Sequence, residues 1–174
     1  TDLPSVIGLS YTNIYKIKKL LYILSTTSPY KPNITKLSSQ LETNRANILQ
    51  FLDFLKRSDI LHLLKGITKG DSILTKPDKV YLENSNLIYA LAHENPNIGT
   101  VRETFFMNQL SHSHFVSTPK NGDFMVDEKF TFEIGGKNKN ADQIKDIKNA
   151  FVAADDIETG YENKIPLWLF GFLY

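Results

Sequence analysis

A chain of 174 residues with 41% hydrophobic content carries enough apolar material for one good core or two small ones. Its 20 Lys and Arg against 19 Asp and Glu give a formal charge of +1, which excludes a uniformly basic nucleic-acid coat and confines any such surface to a local patch. The lack of cysteine excludes a disulfide framework, a thiolate zinc site and a cysteine nucleophile and points to the cytoplasm, while no apolar run reaches the length of a membrane span.

The sequence opens on Thr1-Asp2-Leu3-Pro4 without a methionine, as expected of a piece of a longer protein. Ile14, Ile17, Leu21 and Leu24 recur at helical spacing between Thr12 and Thr26, and Ser28-Pro29-Tyr30-Lys31-Pro32 stops that helix. Asn33 can cap a second helix carrying Ile34, Leu37 and Leu41, and Thr43-Asn44 a third with Ile48, Phe51, Leu52 and Leu55 on one side. Asp59 to Leu64 reads as a strand, Lys69-Gly70-Asp71-Ser72 as a turn and Lys79 to Leu82 as the returning strand. Helices followed by a hairpin predict a winged helix-turn-helix over residues 1–93, with an N-terminal linker before about residue 10.

A short helix holding Leu87, Ile88 and Leu91 follows, and Glu94-Asn95-Pro96-Asn97-Ile98-Gly99 marks a boundary. Beyond it, Val101 to Leu110 reads as a helix on which Glu103, Phe106 and Leu110 share a face. Strands are expected at Phe115-Val116, Gly122 to Val126 and Phe130 to Ile134, then a polar helix over Ala141 to Lys148, then strands at Phe151 to Ala154 and Ile165 to Phe170. The order suits a small α/β sheet over residues 97–174, so the chain as a whole is α+β with an α/β second unit.

Two constellations carry chemistry. In the first, the polar start of the third helix offers Arg45, Asn47 and Gln50 to a major groove, with Lys36 as a phosphate contact; the same architecture also serves as a protein-docking unit. The second is Glu103, Asp123, Glu133 and Lys137. A hairpin makes Asp123 and Glu133 neighbours able to hold Mg²⁺ through carboxylate oxygens, and a nearby lysine can assist the attacking water, which is the layout of a metal-dependent nuclease. Such a site wants its lysine two residues after the glutamate, on the same side of the strand, where this chain has Gly135. Lys137 reaches the site only if Gly135-Gly136 bends back. The alternative is that these acids pair with Lys137, Lys139 or Arg102.

Other features carry less. Gly135-Gly136-Lys137 is no Walker A site, because position 131 is threonine and Asn138 stands where Ser or Thr would hold magnesium. His112 and His114 lack further ligands for zinc, His62 and His93 read as core-edge or surface residues, and Asp155-Asp156-Ile157-Glu158 before Thr159-Gly160 reads as a turn. Ile165 to Tyr174 reads as a buried strand or, if exposed, a docking strip.

Taken together, Gly122-Asp123-Phe124, Phe132 to Lys139, Gln143-Ile144-Lys145 and Asn163 to Gly171 resemble the C-terminal region of a bacterial family of AAA-type P-loop ATPases. In that family an ATPase domain is followed by a winged helix and then by a small domain similar to restriction endonucleases of the PD-(D/E)XK fold. The resemblance implies that ATP binds only in a preceding P-loop domain, the partner of this region, and that no cofactor belongs to this region besides the candidate Mg²⁺ at Asp123 and Glu133. It also implies that Glu103, Asp123 and Glu133 match the nuclease acids and that Gly135 stands where the nuclease lysine would be. The expected function is recognition or regulation for the ATPase, with duplex DNA as a partner through the winged helix and an inactive nuclease-like domain. The rivals are an active Mg²⁺-dependent endonuclease and a protein-interaction module.

Overall fold

The computed structural model describes residues 10–27, 31–66, 75–92 and 96–173. Helix α1 (Tyr11–Thr26) starts where the Ser10 hydroxyl accepts the Asn13 N–H, and it buries Ile17, Leu20 and Leu24. Asn33 caps α2 (Ile34–Gln40) and Asn44 caps α3 (Arg45–Arg57), each side-chain oxygen taking an N–H of the first turn at 3.0 and 2.8 Å. Strands β1 (Leu61–Leu64) and β2 (Lys79–Leu82) pair antiparallel with Leu61 opposite Leu82 and Leu64 opposite Lys79. The turn expected at 69–72 lies outside the described residues. Helix α4 (Ser85–Leu91) is capped by Asn84, and α5 (Ile98–Ser111) by Asn97, so Ile98 and Gly99 of the expected boundary are helical.

Alternation along the hairpin divides its residues between two cores. Leu61, Val80 and Leu82 join the apolar faces of α1 to α4, whereas Leu64 and Tyr81 join the core under α5. Lys79 lies two residues from Tyr81 and shares its face, which is why all of β2 is buried.

The second sheet runs β3 (Val116–Ser117), β4 (Phe124–Val126), β5 (Phe130–Gly135), β6 (Ala150–Ala154), β7 (Lys164–Pro166) in that spatial order. The first three pair antiparallel and the last three parallel. Phe106, Met107 and Leu110 of α5 pack on one face with Phe124, Phe132, Ile134 and Phe170, while Val152, Ala154 and Ile144 pack on the other. The fold is mixed α+β with two sheets.

Two expected elements differ. Residues 141–148 form successive tight turns rather than a helix: Ile144 N–H bonds to Ala141 O at 2.9 Å and Ile147 N–H to Ile144 O at 3.0 Å. A spacing of three brings Ala141, Ile144 and Ile147 to the sheet, and Asn149, at φ 58°, turns the chain into β6. The strand expected over 165–170 ends at Pro166 on the sheet edge, where a missing N–H is tolerated. A 3₁₀ helix (Leu167–Phe172) follows, burying Leu167 and Phe170 at a spacing of three and exposing Trp168 and Phe172. Among the described residues no helix is long and apolar enough to cross a membrane.

Candidate functional site

Two of the acids named from sequence, Glu103 and Asp123, meet at the seam between the hairpin, α5 and the second sheet. Gly122, at φ 93°, makes a turn that a side chain would obstruct, since a Cβ there would stand 2.9 Å from Thr131 Cγ2. That turn delivers Asp123, whose N–H bonds to Phe132 O and whose Oδ2 accepts the Ile134 N–H, both at 2.9 Å. Its Oδ1 faces Lys79 Nζ at 3.3 Å. The same ammonium lies 3.5 Å from Oε2 of Glu103, which also accepts the Tyr81 hydroxyl at 2.6 Å. Lys79 therefore stands between the two acids, and Tyr81, adjacent on the same face of β2, bonds to Glu103.

Glu133, 2% exposed in the middle of the sheet, takes its own cation: Oε1 lies 2.6 Å from Lys139 Nζ, and Oε2 is buried with no hydrogen-bond partner. This corrects the expected role of Lys137, which is exposed and whose carbonyl accepts Lys164 Nζ at 3.1 Å. The bend at 135–136 does occur, closed by Lys139 N–H to Gly136 O at 2.9 Å, but it returns the chain two residues later than expected. The Lys139 stem crosses over Gly135, where a Cβ would come within 2.7 Å of its Cβ and Cγ. Glycine in the position expected of the lysine is thus what lets a later lysine reach the glutamate.

Burial raises the Glu103 carboxyl above its ordinary range, with the Asp123 charge adding to it and Lys79 and Tyr81 opposing. Burial, then the Glu103 charge, pushes the Tyr81 hydroxyl well up, so it stays a donor. For Lys139, burial pulls downward but is outweighed by the hydrogen bond and charge of Glu133, with Asp123 and Glu103 contributing, and its ammonium is held above the usual range. Three carboxylates thus face two ammonium groups. A Mg²⁺ ion does not fit this arrangement: Lys79 already stands between Glu103 and Asp123, and among the described residues no three acid or histidine side chains are placed to hold one ion.

On the helical side, Lys36, Arg45 and Gln50 are exposed, but the Arg45 guanidinium donates to Thr35 Oγ1 at 2.9 Å. Asn47 is half-buried and donates to Thr43 Oγ1 at 2.9 Å, so it faces the preceding turn. Gln50 falls in line with Ala46, Asp53 and Arg57 at helical spacing, and this stripe lies opposite Ile48, Phe51, Leu52 and Leu55. Of the remaining residues, His114 Nδ1 pairs with Asp127 Oδ2 at 2.7 Å, and Arg102 holds Asp155 and Asp156 at 2.9 and 3.0 Å; His93 lies outside the described residues.

Lys79 and Tyr81 were not among the residues read from sequence, whereas Lys139 was named as a pairing partner for the acids and is one. Lys79-Val80-Tyr81-Leu82 does carry a signal: two apolar residues for one core alternate with a lysine and a tyrosine for the other side. Compared with protein-family models, curated proteins and solved structures, the chain matches none.

Proposed function

We propose that this chain is the C-terminal recognition and regulatory region of a cytoplasmic AAA-type ATP-binding protein. Its first part, through about residue 93, is a winged helix-turn-helix that binds duplex DNA; its second, from about residue 97, is a nuclease-like domain that does not cleave. The observation that carries the silent-nuclease reading is the Lys79 ammonium between Glu103 and Asp123, with Lys139 on Glu133. Carboxylates neutralised by internal cations are ill-suited to gather a catalytic metal. The helical order before the hairpin and the exposure of Lys36, Arg45 and Gln50 support the DNA-binding part. ATP binding belongs to the P-loop domain that would precede this region.

The test is duplex binding by fluorescence anisotropy across a salt series, together with plasmid nicking in Mg²⁺ and Mn²⁺. The expected result is salt-dependent binding without nicking; changing Lys36 and Arg45 together to alanine weakens binding and reduces the log–log salt slope by about 1.8, for two lost phosphate contacts. Metal-dependent nicking lost in Glu133→Gln would replace this reading with an active endonuclease. Absence of duplex binding at low salt would make the helices a protein-docking unit, the alternative use of the same architecture.

A further inference from the structure

The face of α1 turned away from the core carries a pattern that packing does not require. Tyr11, Tyr15, Lys18 and Tyr22 follow one another at spacings of four, three and four, so they form one stripe along the helix, opposite the buried Ile17, Leu20 and Leu24. The stripe spans about 16 Å at the rise of an α-helix. Its three tyrosines are 91%, 68% and 45% exposed, and Lys18 is exposed as well. A tyrosine ring is largely apolar surface, and three in a row left in water mark a contact face. The charge is one-sided too: α1 carries Lys16, Lys18 and Lys19 and no acidic residue. Lys16 and Lys19 lean on the Glu42 and Gln40 carbonyls at 2.6 and 2.9 Å. Both contacts are with main-chain oxygens, so neither cancels the lysine charge.

We propose that this stripe is a platform for single-stranded nucleic acid, on which bases stack against Tyr11, Tyr15 and Tyr22 while the lysines of α1, Lys18 foremost, draw the backbone phosphates. Stacking needs exposed base faces, which a duplex keeps inside, and every base offers one, so the platform selects strandedness rather than sequence. Other occupants suit these residues less. A second copy of this chain laid along the stripe would set lysines against lysines. A helix lying on a membrane puts large apolar residues on its inserted face, whereas Ile17, Leu20 and Leu24 of α1 are turned into the core. The stripe is separate from the duplex contacts proposed for Lys36, Arg45 and Gln50, which lie on α2 and α3.

The probe is a fluorescein-labelled oligothymidylate about 16 nucleotides long, followed by anisotropy over a salt series, with a duplex of the same length measured beside it. Wild type should bind the single strand. Tyr11→Ala and Tyr15→Ala should each weaken that binding at least about fivefold, whereas Tyr11→Phe and Tyr15→Phe, which keep the ring, should stay within about twofold. Lys18→Ala should lower the log–log salt slope by about 0.7, the value for one phosphate contact on a single strand. Both rings are exposed, so the alanine variants should keep the wild-type Tm; should one unfold, glutamine at the same position takes its place. Duplex affinity should be unchanged in the tyrosine variants, which separates failure of the platform from failure of the winged-helix reading. Oligothymidylate that does not bind at low salt, or that binds equally well after loss of both rings, overturns the proposal. Self-association of the wild type that the alanine variants abolish, seen by analytical ultracentrifugation, would overturn it in favour of a second copy. Displacement of the strand by polyglutamate at equal charge would overturn it in favour of an acidic protein surface.

Discussion

At the residue scale the governing fact is how two lysines reach buried acids from opposite directions. Lys139 arrives over Gly135, and the glycine matters through space, since Gly135 has an ordinary backbone conformation and only the clearance beside it is special. A methyl group there must push the Lys139 stem aside, leaving Glu133 buried with neither oxygen satisfied. Gly135→Ala should therefore destabilise by about 1–3 kcal/mol, and Lys139→Ala by a similar amount, the figure being kept low because the Lys139 side chain is 30% exposed. The two should not add: with the ion pair already gone, the methyl group has less to disrupt, so the double variant should fall short of the sum by at least about 0.5 kcal/mol. Urea denaturation of the four proteins measures this, urea being chosen because a salt denaturant would screen the pair. Full additivity would mean that Gly135 and Lys139 act independently and that the crossing does not hold the ion pair.

At the element scale, what the sequence reveals depends on whether a period is unambiguous. Helices α1 to α5 were legible from apolar residues at helical spacing, with Asn33 and Asn44 marking two of the starts; Ser10, Asn84 and Asn97 cap the other three in the structure. The segment over 141–148 misled because Ala141, Ile144 and Ile147, three apart, fit one face of an α-helix as well as successive tight turns. The choice is made by the sheet, which needs a connection back from the end of β5 to the start of parallel β6. The acids were legible as candidates because a hairpin and one helix face carry them, and Lys139 as one of three cations able to pair with them, its choice over Lys137 depending on a bend's width; Lys79 was not legible, because it depends on which sheet lies opposite the hairpin. If 141–148 is held mainly by Ile144 on the sheet, Ile144→Ala should cost about 2–4 kcal/mol and Lys145→Ala less than about 0.5 kcal/mol. A loss at Lys145 comparable to that at Ile144, measured by thermal or urea unfolding, would show the segment to be held by other contacts.

At the scale of the whole molecule, the hairpin decides whether the two cores are separable. It gives Leu61, Val80 and Leu82 to the helical core and Leu64 and Tyr81 to the core under α5, and Lys79 ties it to Glu103 and Asp123. Tyr81 is 2% exposed, its ring centroid lies 5.4 Å from that of Phe124, and its hydroxyl meets Glu103. Neither core can lose its structure without stripping one face of β1 and β2, so the two should unfold in one cooperative step. Two probes report the ends separately. The single tryptophan, Trp168, sits in the C-terminal 3₁₀ helix with its indole N–H on Ile157 O at 3.2 Å, while far-UV circular dichroism follows mainly the helices. Fluorescence and dichroism should give the same urea midpoint in the wild type. Tyr81→Ala, which leaves a cavity and an unpaired Glu103 oxygen at the shared strand, should lower both midpoints by the equivalent of about 3–5 kcal/mol, since the strand that carries it serves both halves. Two midpoints in the wild type, or a Tyr81→Ala effect confined to the fluorescence transition, would show that the hairpin belongs to the helical core alone and that the acid cluster is assembled by docking rather than by folding.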